Sequence, residues 1–588
     1  MICRIVLGAM VVLTATAAAD AVEADSLLDG TRVVPIEITL PAVDWETLRR
    51  ESRGPVGLFA AGPPQPFTYH RGHAVVDGLA IADVGVRKKG FFGSIDSVRP
   101  SLIVDFNRYV PQQPIDGIGR LTLNNNKQDT SCVGQYLAYF LFRAAGVPAA
   151  RAGFASVTVN GEVLGIYTLV EPIKKPFLSR AFGDSAGSLY EGTVADLVPE
   201  SLGKLEVETH DRARPQLEEL AALLAADGPL DLPRVEQLVD IDQFLSYWAI
   251  EAIIGMWDGY TSNQNNYFVY ADPRDARLRF IPWGADSAFT PIPALLPGFG
   301  RGPAPAIYAQ AALANRLIFT PGLAARYRQR LEGLLATVWN EDNLVAEVDR
   351  LELLLMPHVA ATQRNATTSL AAVRGFIRRR RGELSKALES WPPELPERYR
   401  QPMTTRRVGT VSGSFATIQR ESATGDSAPG EIALTIRLNG TAVAFEPTGV
   451  VAYPLPIPGP PGQATAPATP PRTPDGPIGV TISGTRPTGT PLSLTFMLDR
   501  RLLRDTTSDV ATGGMLTEGT GFFGTGPMRI VGGTAALTDR GSDPGSRLAG
   551  TFEFTVDETA GGFTNPAAKR RPIDTSRDDP DVTTRNNP

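Results

Sequence analysis

Apolar and polar positions alternate through the first hundred residues. Val33-Val-Pro-Ile-Glu-Ile-Thr-Leu, Ala74-Val-Val and Leu102-Ile-Val-Asp-Phe carry the period of two that marks half-buried strands. The period then lengthens. Asn126 to Ala145 places Val133, Leu137, Phe140 and Leu141 on one helical face, with Asp129-Thr-Ser as the cap and Gly146 as the stop. A hairpin follows, made of Ala155-Ser-Val-Thr-Val, the turn Asn160-Gly161, and Val163-Leu-Gly-Ile-Tyr-Thr-Leu-Val. Beyond Pro215 helical spacing dominates, in Pro215 to Ala226, Asp242 to Met256, Pro321 to Val338 and Ala361 to Ser390. One strand pair interrupts it: Tyr267-Phe-Val-Tyr and Leu278-Arg-Phe-Ile, joined through Asp272-Pro273. An α/β front half thus precedes a helical second half.

Prolines 392, 393 and 396 break the helical pattern. Short β-prone runs follow, among them Ile432-Ala-Leu-Thr-Ile-Arg-Leu, Leu492-Ser-Leu-Thr-Phe-Met-Leu, Met528-Arg-Ile-Val and Leu548-Ala-Gly-Thr-Phe-Glu-Phe-Thr-Val. They predict a β-sandwich or barrel over 405–565, with a Pro-rich insertion at 454–477. Residues 566–588 have few apolar positions and read as a disordered tail. The expected fold class is α+β: a lobe at 28–200, a mainly helical lobe at 201–395, a separate all-β domain and the tail.

The 588 residues are too many for one core, so about two to four domains are expected. A net charge of −6 gives no reason to expect nucleic acid as a partner. Arg4, the apolar run Ile5 to Leu13 and the small residues Ala15 to Ala21 read as a signal peptide over 1–21, hence a secreted or periplasmic protein. No other segment is apolar for long enough to be transmembrane. Cleavage leaves Cys132 without a partner, so no disulfide framework is expected, and the four histidines lack metalloprotease spacing. No Walker A loop or Gly-x-Ser-x-Gly elbow is present. The run Arg378 to Arg381, late in a helix, reads as surface.

Candidate chemistry lies in Asp258-Gly-Tyr-Thr-Ser-Asn263-Gln-Asn-Asn266 and in Trp283-Gly-Ala-Asp286 at the end of the next strand. The interval from Asp258 to Asn263 equals the Asp-to-Asn interval of a kinase catalytic loop. Asp258 is either the base for an acceptor hydroxyl or a cap on the next turn. Asn263, Asn266 and Asp286 offer oxygens to a hard divalent cation. Arg87, Lys89 and Arg99 are candidate phosphate contacts with Glu171 as their partner, although Arg87-Lys-Lys89 also suits a solvated strand edge.

In ordered blocks the chain resembles the CotH (spore coat protein H) kinase family. The blocks are Gly85-Val-Arg-Lys-Lys-Gly90, Arg99-Pro-Ser-Leu-Ile-Val-Asp-Phe, Leu121-Thr-Leu-Asn-Asn-Asn-Lys-Gln-Asp129, Val159 through Glu171, Asp258 through Tyr267, and Ile281-Pro-Trp-Gly-Ala-Asp286. The resemblance covers roughly residues 30–390 and implies an atypical kinase-like fold, ATP with Mg or Mn, and a protein substrate bearing a hydroxyl acceptor. It makes Asp258 catalytic and gives the metal to the Asn-rich stretch and Asp286. Two departures stand out. The family usually carries Trp-Asp-x-Asp where this chain has Gly284, and often Lys-Pro-Ser where it has Arg99. Loss of one charged metal ligand lowers rate by on the order of a hundredfold. The alternative expectation is therefore a catalytically impaired pseudokinase that binds an envelope polymer or protein through its β-domain.

Overall fold

The computed structural model describes residues 23–51, 67–90, 96–209, 214–290, 304–363, 365–402, 404–421, 430–454, 478–498, 503, 510–519, 527–560 and 570–573. The expected signal peptide, nearly all of the Pro-rich insertion and the end of the tail lie outside them. The architecture is mixed α and β.

The alternating segments close on themselves. Strands β1 (Val33–Thr39), β2 (His70–Val76), β3 (Leu79–Lys89), β4 (Ser101–Asp105), β5 (Arg120–Asn124), β6 (Ala152–Val159) and β7 (Glu162–Val170) form a barrel in the order β1-β2-β3-β4-β5-β7-β6, sealed by parallel pairing of β1 with β6. Their inward positions, including Val34, Ile36, Ile38, Val86, Val104 and Leu121, are fully buried. At the β6–β7 turn, Asn160 (φ 50°) and Gly161 (φ 81°) both take the left-handed backbone of a two-residue hairpin. Because β3 and β5 each run antiparallel to β4, their C-terminal residues Lys89 and Asn124 reach the same rim.

The next helix spans only Gly134–Ala144. The residues expected as its first turns are used otherwise: Asn126 and Cys132 have positive φ, and the Asp129 carboxylate accepts from the Ser131 hydroxyl and the Gln135 N–H. Leu137 and Leu141 are buried as expected, but Phe140 is 46% exposed, on the opposite side. A four-stranded sheet, β11-β10-β8-β9, stands beside the helices, built from β8 (Leu189–Gly192), β9 (Glu206–Val207), β10 (Tyr267–Ala271) and β11 (Leu278–Pro282). The expected later helices appear as Pro215–Ala225, Ile241–Ile253, Leu323–Thr337 and Ala366–Glu389, joined by helices the spacing did not mark, among them Glu341–Leu355. Asp240 caps the second by accepting from the Gln243 N–H.

The arginine run is split: Arg378 and Arg379 are exposed, as expected, but Arg380 and Arg381 turn inward. Arg380 is fully buried and donates to the carbonyls of Ala252, Ile253, Ala304 and Pro305. Arg381 donates to the carbonyls of Leu335 and Trp339 and pairs with Glu341. Arg380 thus reaches the carbonyls that end the Ile241–Ile253 helix, and Arg381 those at the end of the Leu323–Thr337 helix.

After β12 (Glu394–Pro396) comes an all-β region with its own core. Its nine strands are β13 (Thr404–Ile418), β14 (Glu431–Leu438), β15 (Thr441–Val443), β16 (Glu446–Pro454), β17 (Ile478–Thr485), β18 (Pro491–Leu498), β19 (Val510–Glu518), β20 (Arg529–Arg540) and β21 (Arg547–Ala560). They make one sheet, β15-β14-β13-β21-β20-β19-β18-β17-β16. The sheet curls until its last strand meets β13 through a bridge between Gln419 and Ala452, with Phe415, Phe496, Phe552 and Phe554 packed inside. Part of the expected tail is ordered: β22 (Arg570–Pro572) pairs with β12, and Ile573 is buried.

Candidate functional site

The Ile241–Ile253 helix delivers its last carbonyls to Arg380, and Gly255 (φ 65°) turns the chain into Met256-Trp-Asp258. Glu251, fully buried on that helix, accepts from the Tyr260 N–H (2.8 Å), the Thr261 N–H (3.0 Å) and the Thr261 hydroxyl. Burial pushes its carboxyl up to about 7. Gly259 permits this approach, since a methyl there would lie 2.1 Å from Glu251 Oε1. On the other side Asp196 accepts from the Tyr260 hydroxyl (3.0 Å), Gln264 Nε2 (2.6 Å) and the Ala312 N–H (2.8 Å). The loop is therefore gripped by buried acids.

Asp258 is half-buried and surrounded by amides. Asn263 Nδ2 donates to its Oδ1 at 2.5 Å, Asn265 Nδ2 to the same oxygen at 3.1 Å, and Asn266 Nδ2 to Oδ2 at 3.0 Å. Burial raises its pKa, while these three donors and the charge of Arg400 oppose the rise. Asp286, on the turn after β11, faces the same space: desolvation first, then the charges of Asp258 and Asp129, push it up to about 7, and Lys89 opposes them. Lys89, at the rim of the barrel, donates to Asn124 Oδ1 at 2.6 Å and lies 5.6 Å from the centre of the Trp283 ring. Desolvation pushes its ammonium down to about 8, against the pull of Asp286 and Glu191. Asp286 thus feels the charges of both Asp258 and Lys89, which lie on other elements.

Other expectations are corrected. Glu171 is not the partner of Lys89 or Arg99. It is buried in ion pairs with Arg151 (2.8 Å) and Arg180 (2.6 Å), because β7 leaves the barrel beside those two arginines. The carboxylate charges that Lys89 feels are Asp286 first and then Glu191 on β8, which burial and its cross-strand neighbour Glu206 push up to about 7. Asn263 does not offer its side-chain oxygen, which accepts from Arg400 at 2.8 Å. Arg87 stacks on Tyr69 (5.3 Å), and Arg99 donates to the Asn125 carbonyl (2.5 Å), so both are partly committed to the fold. At Gly284 (φ 50°) an added methyl would lie 2.5 Å from Asn266 Oδ1. The Asn266 amide occupies the space where a side chain at 284 would begin.

A divalent cation suits this donor set. Two partly desolvated carboxylates share one space with a single near ammonium, and Asn266 directs its oxygen toward the Gly284 turn. The fitting ligands are Asp286, Asp258 and Asn266; Asn263 orients Asp258 instead. A separate cavity of about 990 Å³ is lined by Arg108, Arg120, Lys174 and Lys175 together with Asp105, Asp116, Glu171 and Glu208. Glu191 is felt by both Lys174, which lines that cavity, and Lys89. Sequence reasoning missed Asn124, Glu191, Asn265, Asp196, Glu251 and Arg400. Of these only Asn124 and Asn265 carried a signal, inside Asn-rich runs.

A family model described as CotH kinase protein matches residues 86–384. Among curated proteins, Invasin CotH3 of Rhizopus delemar is 22% identical over 259 residues, which cover 40% of this chain and 43% of that protein. The match therefore spans less than half the length of that relative.

Proposed function

The chain belongs to the CotH kinase protein family, and on that premise we propose that it is an exported phosphotransferase with a two-lobed, kinase-like layout. It moves the terminal phosphoryl group of ATP to a protein hydroxyl with Mg or Mn. The observation that carries this reading is that Asp286 feels the charges of both Asp258 and Lys89. Held by three amides, Asp258 orients the acceptor hydroxyl and takes its proton. Asp286 and Asn266 would hold the cation. When bound, the metal draws charge from the phosphates as the bond to the leaving oxygen breaks. Lys89 places its ammonium on the phosphates, backed by Asn124 and Glu191. The remainder of the nucleotide takes the cavity where Arg108, Arg120 and Lys175 offer cations to its phosphates. Export agrees with a relative named as an invasin.

One observation favours a second reading, that of an impaired enzyme serving as an envelope binding protein. Gly284 supplies no carboxylate, and Asn266 fills the space beside it. Incubation with terminally labelled ATP and Mn²⁺ separates the two. The kinase reading expects label on protein hydroxyls, reduced at least about a hundredfold in Asp258→Asn. No label in either protein favours the second reading, and equal label in both removes Asp258 as the base.

A further inference from the structure

We propose that Arg400, which lies beyond the family-matched segment, is a positioning residue for Asp258, so that the junction leading into the C-terminal sheet is part of the site. This rests on the reading of Asp258 as the reacting carboxylate. Arg400 is only 7% exposed. Its Nη1 donates to Asn263 Oδ1 at 2.8 Å, its Nη2 to the Asn263 carbonyl at 2.6 Å and its Nε to Gln264 Oε1 at 2.9 Å. Its own carbonyl accepts from Gln264 Nε2 at 2.8 Å, and its N–H donates to the Gln310 carbonyl at 2.8 Å.

The chemical consequence lies in the Asn263 amide. An amide side chain has one accepting and one donating end, and either can turn toward a neighbour. A guanidinium on the oxygen fixes the choice: Asn263 must present Nδ2 to Asp258, which it does at 2.5 Å. Arginine suits the task because its planar fork reaches three acceptors at once, where an ammonium offers a single point. The junction is itself anchored. Pro396 accepts from Asn315 Nδ2 at 3.0 Å, and β12, just before it, pairs with β22 from the end of the chain.

Hydrogen exchange of the full-length protein, wild type against Arg400→Gln and Arg400→Lys, tests the placement without any ligand. Exchange across 256–266 should quicken at least about tenfold in Arg400→Gln, with barrel peptides unchanged. Arg400→Lys should recover less than half of the lost protection. If Arg400→Gln does not fold, the lysine variant provides the comparison. Unchanged protection across 256–266 overturns the proposal. A kinetic split provides the readout that packing alone would not move. In Arg400→Gln, turnover should fall at least about tenfold while the KM for Mn²⁺·ATP stays within about threefold. A parallel rise in KM with intact turnover also overturns it. Absence of turnover in the wild type rejects the kinase reading instead, and the exchange result then decides the placement of Arg400.

Discussion

A carboxylate surrounded by amide donors is held for orientation, whereas one buried away from water resists ionising, and the site uses both effects. Glu251 shows the second most clearly. Its carboxyl, at about 7 in the folded chain against an ordinary 4.5, binds its proton more tightly folded than unfolded. Between those two values the folded state holds the extra proton, so stability falls as pH rises through the window and levels off above 7. Glu251→Gln should flatten that slope in urea melts taken from pH 4.5 to 8. Gly284→Asp tests the turn. Its side chain would start against Asn266 Oδ1, in a left-handed backbone, so it should destabilise the chain by about 1–2 kcal/mol in urea unfolding. At this scale the sequence was partly legible. Asp258, Asn266 and Asp286 stand out because their spacing is local to one loop and one hairpin. Glu191, Asp196 and Arg400 reach the site through contacts between distant segments, which no local pattern records.

Elements explain why the loop stays in place. Arg380 accepts no surface role because four consecutive helical residues, at 100° apiece, sweep most of the helix circumference, so one of Arg378 to Arg381 had to face inward. Arg380→Met would leave four carbonyls without their donor, two of them at the end of the Ile241–Ile253 helix. The expected loss is about 3 kcal/mol or more in urea unfolding, with the 256–266 loop the first segment to gain exchange. Strands and long helices were readable from periodicity, and the Asn160-Gly161 turn from its chemistry. The start of the Gly134–Ala144 helix was not, since Asp129 spends its carboxylate on a tight turn before the helix begins. Pairing of Glu171 was equally hidden: barrel closure, not sequence distance, decides which arginines it meets.

Over the whole molecule, the helical part and the C-terminal sheet are tied by β12–β22 and by the Arg400 junction. Removing residues 561–588 should lower the melting temperature by a few degrees and raise exchange in 394–402, since β12 loses its pairing strand. A low-apolar tail gave no hint of this strand, because a three-residue pairing needs backbone groups and not hydrophobic side chains. The central claim is that Asp258, Asp286 and Lys89 bound one cleft that takes a metal nucleotide. Calorimetric titration of Mn²⁺·ATP into the full-length protein and into Asp286→Ala tests it most directly. A saturable isotherm that weakens at least about tenfold in the variant is the predicted result. No heat at millimolar nucleotide, or identical affinity in both proteins, would contradict it.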